Sequence, residues 1–146
     1  MNALSLNLLS HALIGAALEV HLELGPGLLE SAYQAAYSHE LALREIPHVR
    51  QQDLPIVYKG ILIESGYCPD MLAGHRVIVE LKAIDRPTPL LRAQLLTYVR
   101  LGGYPLGLLV NFNVSKLAEG IEWVSNDALD PAAVSACSAL ISRSAH

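Results

Sequence analysis

From Leu4 to Leu24 the polar positions recur every four residues. Asn7, His11, Gly15, Glu19 and Glu23 form one stripe, and leucines, alanines, Ile14 and Val20 fill the rest of the surface. That spacing predicts a helix with a wide apolar face, which must be buried in the domain or against a partner. Gly25-Pro26-Gly27 stops it, since proline lacks an amide hydrogen and glycine favours turns. A second helix is predicted from about Leu28 to Arg44, with Leu29, Tyr33, Ala36 and Glu40 or Leu41 at helical spacing. Ile46-Pro47 ends it.

Three strands are predicted next: Val49–Tyr58, Ile61–Leu72 and Arg76–Ala83, with turns at Lys59-Gly60 and around Ala73-Gly74. Thr88-Pro89 supplies an N-cap and a first helical residue, and that helix runs to about Leu101 before Gly102-Gly103. Leu106–Phe112 reads as a buried strand and Ile121–Ser125 as a short edge strand. From Asp130-Pro131 onward a peripheral helix is expected. The order is α-α-β-β-β-α-β without an internal repeat. It describes one α/β domain over residues 1–146, of which about 126–146 form a peripheral extension.

With 146 residues, 52% of them hydrophobic and 16% charged, the chain has enough apolar surface for a core of its own. Cys68 and Cys137 stand far apart, which argues against a cysteine-rich metal framework and fits a reducing cytoplasm. No lysine or arginine precedes Arg44, so the positive region of a signal peptide is missing. His11, Glu19, His21 and Glu23 interrupt the first apolar stretch, against a membrane span. The expectation is a cytoplasmic protein with no membrane partner, and a homodimer if the first helix keeps apolar surface to spare.

The six histidines show no HxH, HxxxH or HExxH spacing, which argues against zinc. His21 is expected to make a structural hydrogen bond. No glycine-rich phosphate loop follows a strand. The net charge of −4 runs against nucleic-acid binding, although a site built from carboxylates and filled by cations offsets part of it.

The chemistry concentrates at Pro69-Asp70 and Glu80-Leu81-Lys82. On a strand, Glu80 and Lys82 share one face, while Val77, Val79 and Leu81 point into a core on the other. Asp70 joins them only if it opposes a residue of their parity, such as Ile78. That requires an odd-length connection or a bulge around Ala73-Gly74-His75, because a two-residue turn would pair Asp70 with Val77. Two carboxylates and an intervening carbonyl make a hard, all-oxygen site suited to magnesium, with manganese as a substitute. The ammonium beside them offsets developing negative charge. The plain alternative is a solvated Glu/Lys pair with an aspartate in a turn.

Two smaller constellations accompany this one. Gly27, Glu30 and Tyr33 open the second helix, with Glu30 and Tyr33 on one face. The dipole at a helix start also favours a glutamate there without any catalytic role. Gln94 and Tyr98 stand four apart on the helix after Lys82, a spacing that packing alone also produces. Arg76, Arg86, Arg92 and Arg100 lie near the motif strand and next helix and can reach phosphates, or be solvated.

Taken together, these pieces resemble the bacterial family named for its GxxExxY motif, within the PD-(D/E)XK nuclease superfamily. The similarity runs from about Ile14 through Trp123. It includes Val20-His21, Gly25-Pro26-Gly27, Leu29-Glu30, Tyr33, Pro69-Asp70, Val79-Glu80-Leu81-Lys82-Ala83, Gln94-Leu95-Leu96 and Leu109-Val110-Asn111-Phe112. The resemblance implies a three-layer α/β/α sandwich around a mixed four-stranded sheet. Its α-β-β-β-α-β core would follow an extra N-terminal helix. It also implies metal-dependent phosphodiester hydrolysis, most simply of DNA. Asp70 and Glu80 would be metal ligands, Leu81 would add its carbonyl, and Lys82 would be the catalytic lysine. Glu30 would be the helix carboxylate facing the site, a third negative charge beside Asp70 and Glu80. Gln94 and Tyr98 match the Gln-x-x-x-Tyr motif of nucleases resembling the exonuclease domain of bacterial recombination enzymes. The rival reading is a non-catalytic nucleic-acid- or protein-binding module on the same fold, dimeric through its first helix.

Overall fold

The computed structural model describes residues 5–127, and its first element shows where the wide apolar face goes. Ser5 caps α1 (Leu6–Leu24), its hydroxyl accepting from the Leu8 N–H at 3.2 Å. Leu9, Leu13, Ala16, Ala17 and Val20 are buried, whereas Leu8, Leu18 and Leu22 stay exposed. α2 (Glu30–Leu43) packs on α1 through Tyr33, Tyr37 and Leu41, which recur every four residues. The buried Tyr37 hydroxyl donates to the Leu13 carbonyl at 2.9 Å, so burial leaves it satisfied.

The strands divide otherwise than expected. Val49–Tyr58 becomes β1 (His48–Arg50) and β2 (Leu54–Tyr58), and Ile61–Leu72 becomes β3 (Ile61–Tyr67) and β4 (Met71–Ala73). Gln51-Gln52-Asp53 makes the first break, with Gln51 at φ +49°. Cys68-Pro69-Asp70 makes the second, where Pro69 has no N–H to give a ladder. β2 and β3 pair only with each other as a hairpin. β1 and β4 join β5 (Val77–Lys82), β6 (Leu106–Asn111) and β7 (Ile121–Ser125) in a sheet ordered β1-β4-β5-β6-β7. Among the described residues the central sheet therefore has five strands, not four. It is mixed: β5 and β6 run parallel, joined through α3 (Pro89–Gly102), and the other pairs are antiparallel.

One face of the sheet, carrying Val77, Val79, Leu81, Leu106, Leu108 and Val110, packs on α1 and α2. The other face, carrying Leu72, Ile78, Leu109 and Val124, packs on Leu95 and Val99 of α3 and on Leu54 and Tyr67 of the hairpin. That outer layer is part helix and part hairpin, a departure from the plain α/β/α sandwich. The N-terminal helix is no appendage either, since α1 supplies a large share of the core. Among the described residues, no helix is long and apolar enough to cross a membrane. The helix expected from Asp130 lies outside the described residues.

One connection sets the geometry of everything that follows. Ala73 pairs with Val77, Leu72 with Ile78 and Met71 with Val79. Gly74, His75 and Arg76 thus form a three-residue link, and continuing the register brings Asp70 opposite Glu80. The odd length that the parity argument requires is present, although the residue opposed is Glu80 and not Ile78. Gly74 and His75 take φ of +57° and +62°. A Cβ on Gly74 would meet Leu9 Cδ2 at 2.7 Å. Gly74→Ala therefore lowers unfolding free energy by about 1–2 kcal/mol from backbone strain alone, more if Leu9 cannot give way. A urea titration with the wild-type midpoint would contradict this.

Candidate active site

Asp70 lies just before β4, in the bend that follows Cys68-Pro69. Three hydrogen bonds hold it. Its carbonyl accepts from the Gln51 N–H at 3.0 Å, continuing the β1 ladder. Its Oδ2 accepts from the Leu81 N–H at 2.8 Å. Its own N–H donates to Glu80 Oε1 at 3.2 Å. Each carboxylate thus accepts from a backbone amide across the end of the β4–β5 pair, Asp70 from Leu81 and Glu80 from Asp70.

Glu80 is largely buried, and its carboxyl is pushed up to about 8. Burial is the main cause, the neighbouring Asp70 charge adds to it, and Lys82 opposes both. Lys82 Nζ lies 3.8 Å from Glu80 Oε2 and 3.9 Å from Glu30 Oε1. Glu30, in the first turn of α2, therefore meets the site through the lysine; its Oε1 also accepts from Gln34 Nε2 at 3.5 Å. Lys82 thus stands between the Glu30 and Glu80 carboxylates. Among the described residues, no three His, Cys, Asp or Glu side chains converge as a metal cage.

Asp70 and Glu80 nonetheless fit a divalent cation. Both offer hard oxygen donors, and hydrogen bonding through the Asp70 and Leu81 amides brings the two carboxylates together at the end of β5. Gln94 and Tyr98 do come together, Gln94 Nε2 donating to the Tyr98 hydroxyl at 2.6 Å. The Tyr98 ring stacks on Tyr67 at 4.4 Å, tying α3 to the hairpin strand that leads into Asp70. Among the described residues, no hydrogen bond or ion pair joins Gln94 or Tyr98 to Asp70, Glu80 or Lys82. His21 makes its expected structural bond, its Nε2 lying 2.8 Å from the Val114 carbonyl. Sequence reasoning assigned no role to Asn111, whose buried amide meets both backbone groups of Ile84. The signal was there, as the one polar residue within the run Leu106–Phe112.

A family model described as the PD-(D/E)XK nuclease superfamily matches residues 7–124. The chain belongs to that superfamily. No curated protein and no solved structure matches it. The mixed α/β fold of this PD-(D/E)XK protein agrees with that membership.

The Glu80 shift gives a sign for the pH dependence of stability. A carboxyl at about 8 when folded and near 4.5 when unfolded takes up a proton on folding in between. Its contribution is most favourable below the unfolded value and is lost as pH rises through the folded one. Without added metal, Tm should fall between pH 5 and 8.5, and Glu80→Gln should flatten that slope. Parallel melting profiles for the two proteins would refute the assignment.

Proposed function

We propose that this PD-(D/E)XK protein is a magnesium-dependent nuclease that hydrolyses phosphodiester bonds, with DNA as its substrate, and that it is a member of the GxxExxY family. The observation that carries the reading is the reciprocal bonding of Asp70 with Glu80 and Leu81, with the Lys82 ammonium 3.8 Å from Glu80. Asp70 and Glu80, with the Leu81 carbonyl, would hold the cation. Bound there, magnesium (or manganese) supplies Lewis acidity toward a phosphoryl oxygen. Lys82 orients the attacking water and stabilises the negative charge that develops at phosphorus. Glu30 keeps that ammonium aimed. Gln94 and Tyr98 brace α3 against the hairpin beside Asp70, and their catalytic part is to position the substrate strand.

The second reading, a non-catalytic binding module, draws its support from the net charge of −4. Either way α1 favours a homodimer, because Leu18 and Leu22 remain 49% and 79% exposed after the core is filled. A monodisperse monomer by light scattering at high concentration would end that part of the proposal.

Calorimetric titration with magnesium and cleavage of labelled DNA separate the two readings. Asp70→Asn should lose magnesium binding and cleavage together. Lys82→Ala should keep magnesium binding and cut turnover about 10²–10³-fold. Glu30→Gln should behave like a milder Lys82→Ala, because its carboxylate faces the lysine. Magnesium binding in the wild type without cleavage of any DNA or RNA would favour the binding module. Undiminished cleavage by Lys82→Ala would remove the proposed chemistry.

A further inference from the structure

The Glu30–Lys82 pair joins the first turn of α2 to the end of β5. Lys82 pairs with Asn111 in the β5–β6 ladder, and the Phe112 N–H donates to the Lys82 carbonyl at 2.9 Å. Beyond Lys82 the chain leaves the strand. The Asn111 side chain then takes over: Nδ2 donates to the Ile84 carbonyl at 2.9 Å and Oδ1 accepts from the Ile84 N–H at 3.0 Å. A side-chain amide thus imitates a backbone peptide and carries the ladder past the lysine. It is 3% exposed in a strand whose every other residue is apolar. An apolar residue there would leave both Ile84 groups without their partner. Asn113 adds a bond from Nδ2 to Asp85 Oδ1 at 2.9 Å.

The next residue along β6 holds the other half of the pair. The Phe112 ring stacks on Tyr33 at 4.5 Å with the planes 5° apart. The Tyr33 hydroxyl donates to the Gly25 carbonyl at 2.5 Å and accepts from the Leu28 N–H at 3.2 Å. Tyr33 therefore pins the Gly-Pro-Gly turn to the start of α2, the turn of helix that carries Glu30.

We propose that Asn111 and Phe112 are positioning residues, a bracket at the end of β6 that holds Lys82 from one side and Glu30 from the other. The inference rests on the nuclease reading only for what the ion pair accomplishes; the bracket itself is open to a test that needs no activity. The chain contains three lysines, Lys59, Lys82 and Lys116. The rate at which an acylating reagent labels Lys82, measured by mass spectrometry against Lys59 and Lys116, reports whether its ammonium is held by Glu30.

Asn111→Ser, which leaves room for water, and Phe112→Leu, which keeps burial but removes the stack, should each raise Lys82 labelling about two- to five-fold, the range expected for release of a partly exposed ion pair. Phe112→Tyr keeps the ring and should label as wild type. In a Glu30→Gln background, where labelling is already raised, neither Asn111→Ser nor Phe112→Leu should add to it. Unchanged labelling in either folded variant overturns the bracket, and so does an equal further rise in the Glu30→Gln background. Cleavage is assayed in parallel, where both variants should lower kcat and leave KM and magnesium affinity near wild type. A wild type that cuts no nucleic acid would defeat the nuclease reading while the labelling comparison still decides the bracket.

Discussion

Two carboxylates side by side in a half-buried place repel each other, and the site depends on how backbone amides relieve that repulsion. Leu81 gives its N–H to Asp70, and Asp70 gives its own N–H to Glu80. Neither bond is possible unless Asp70 falls directly opposite Glu80. That alignment follows from the three-residue link of Gly74, His75 and Arg76, since one residue more or fewer would turn Asp70 to the opposite face. The rest of the fold serves this register. α1 presses Leu9 against the link, β1 extends its ladder to the Asp70 carbonyl, and the hairpin delivers the chain into Pro69.

Burial above all, and the Asp70 charge after it, push the Glu80 carboxyl far above its ordinary range, and the amide bond it accepts offsets only part of that. A pair in that condition holds a proton near neutrality, or a cation in its place. Lys82 supplies part of the missing positive charge but is divided between Glu80 and Glu30 at 3.8 and 3.9 Å. Ion pairs of that length are weak, so the lysine stays available to a third negative group. Acidic residues that would hinder general nucleic-acid binding have a use at the centre of the proposed cation site.

Much of this was legible along the chain because periodicity reports burial directly. The apolar run of α1, the alternation around Glu80 and the proline-led start of α3 each needed only local rules. Where the reading failed, the decisive contacts were long-range. Val49–Tyr58 and Ile61–Leu72 are plausible single strands by composition, yet each is cut so that one part joins the sheet and the other the hairpin. Pro69 carried a hint, because a proline within a strand run blocks the ladder. Glu30 meets Lys82 of the motif strand, and no sequence rule distinguishes a partner of Lys82 from a neighbour of Asp70. That choice depends on where the end of β6 places the two, and Asn111 and Phe112 act through packing that only the folded chain brings together.

The central claim is that Asp70 and Glu80 form a single cation site whose alignment is built into the β4–β5 pair. The most direct test is a crystal grown with manganese and measured for anomalous scattering. One strong peak should lie within about 2.0–2.6 Å of an oxygen from both carboxylates. A well-ordered structure in which manganese binds elsewhere, or in which Asp70 and Glu80 never touch the same ion, would contradict it.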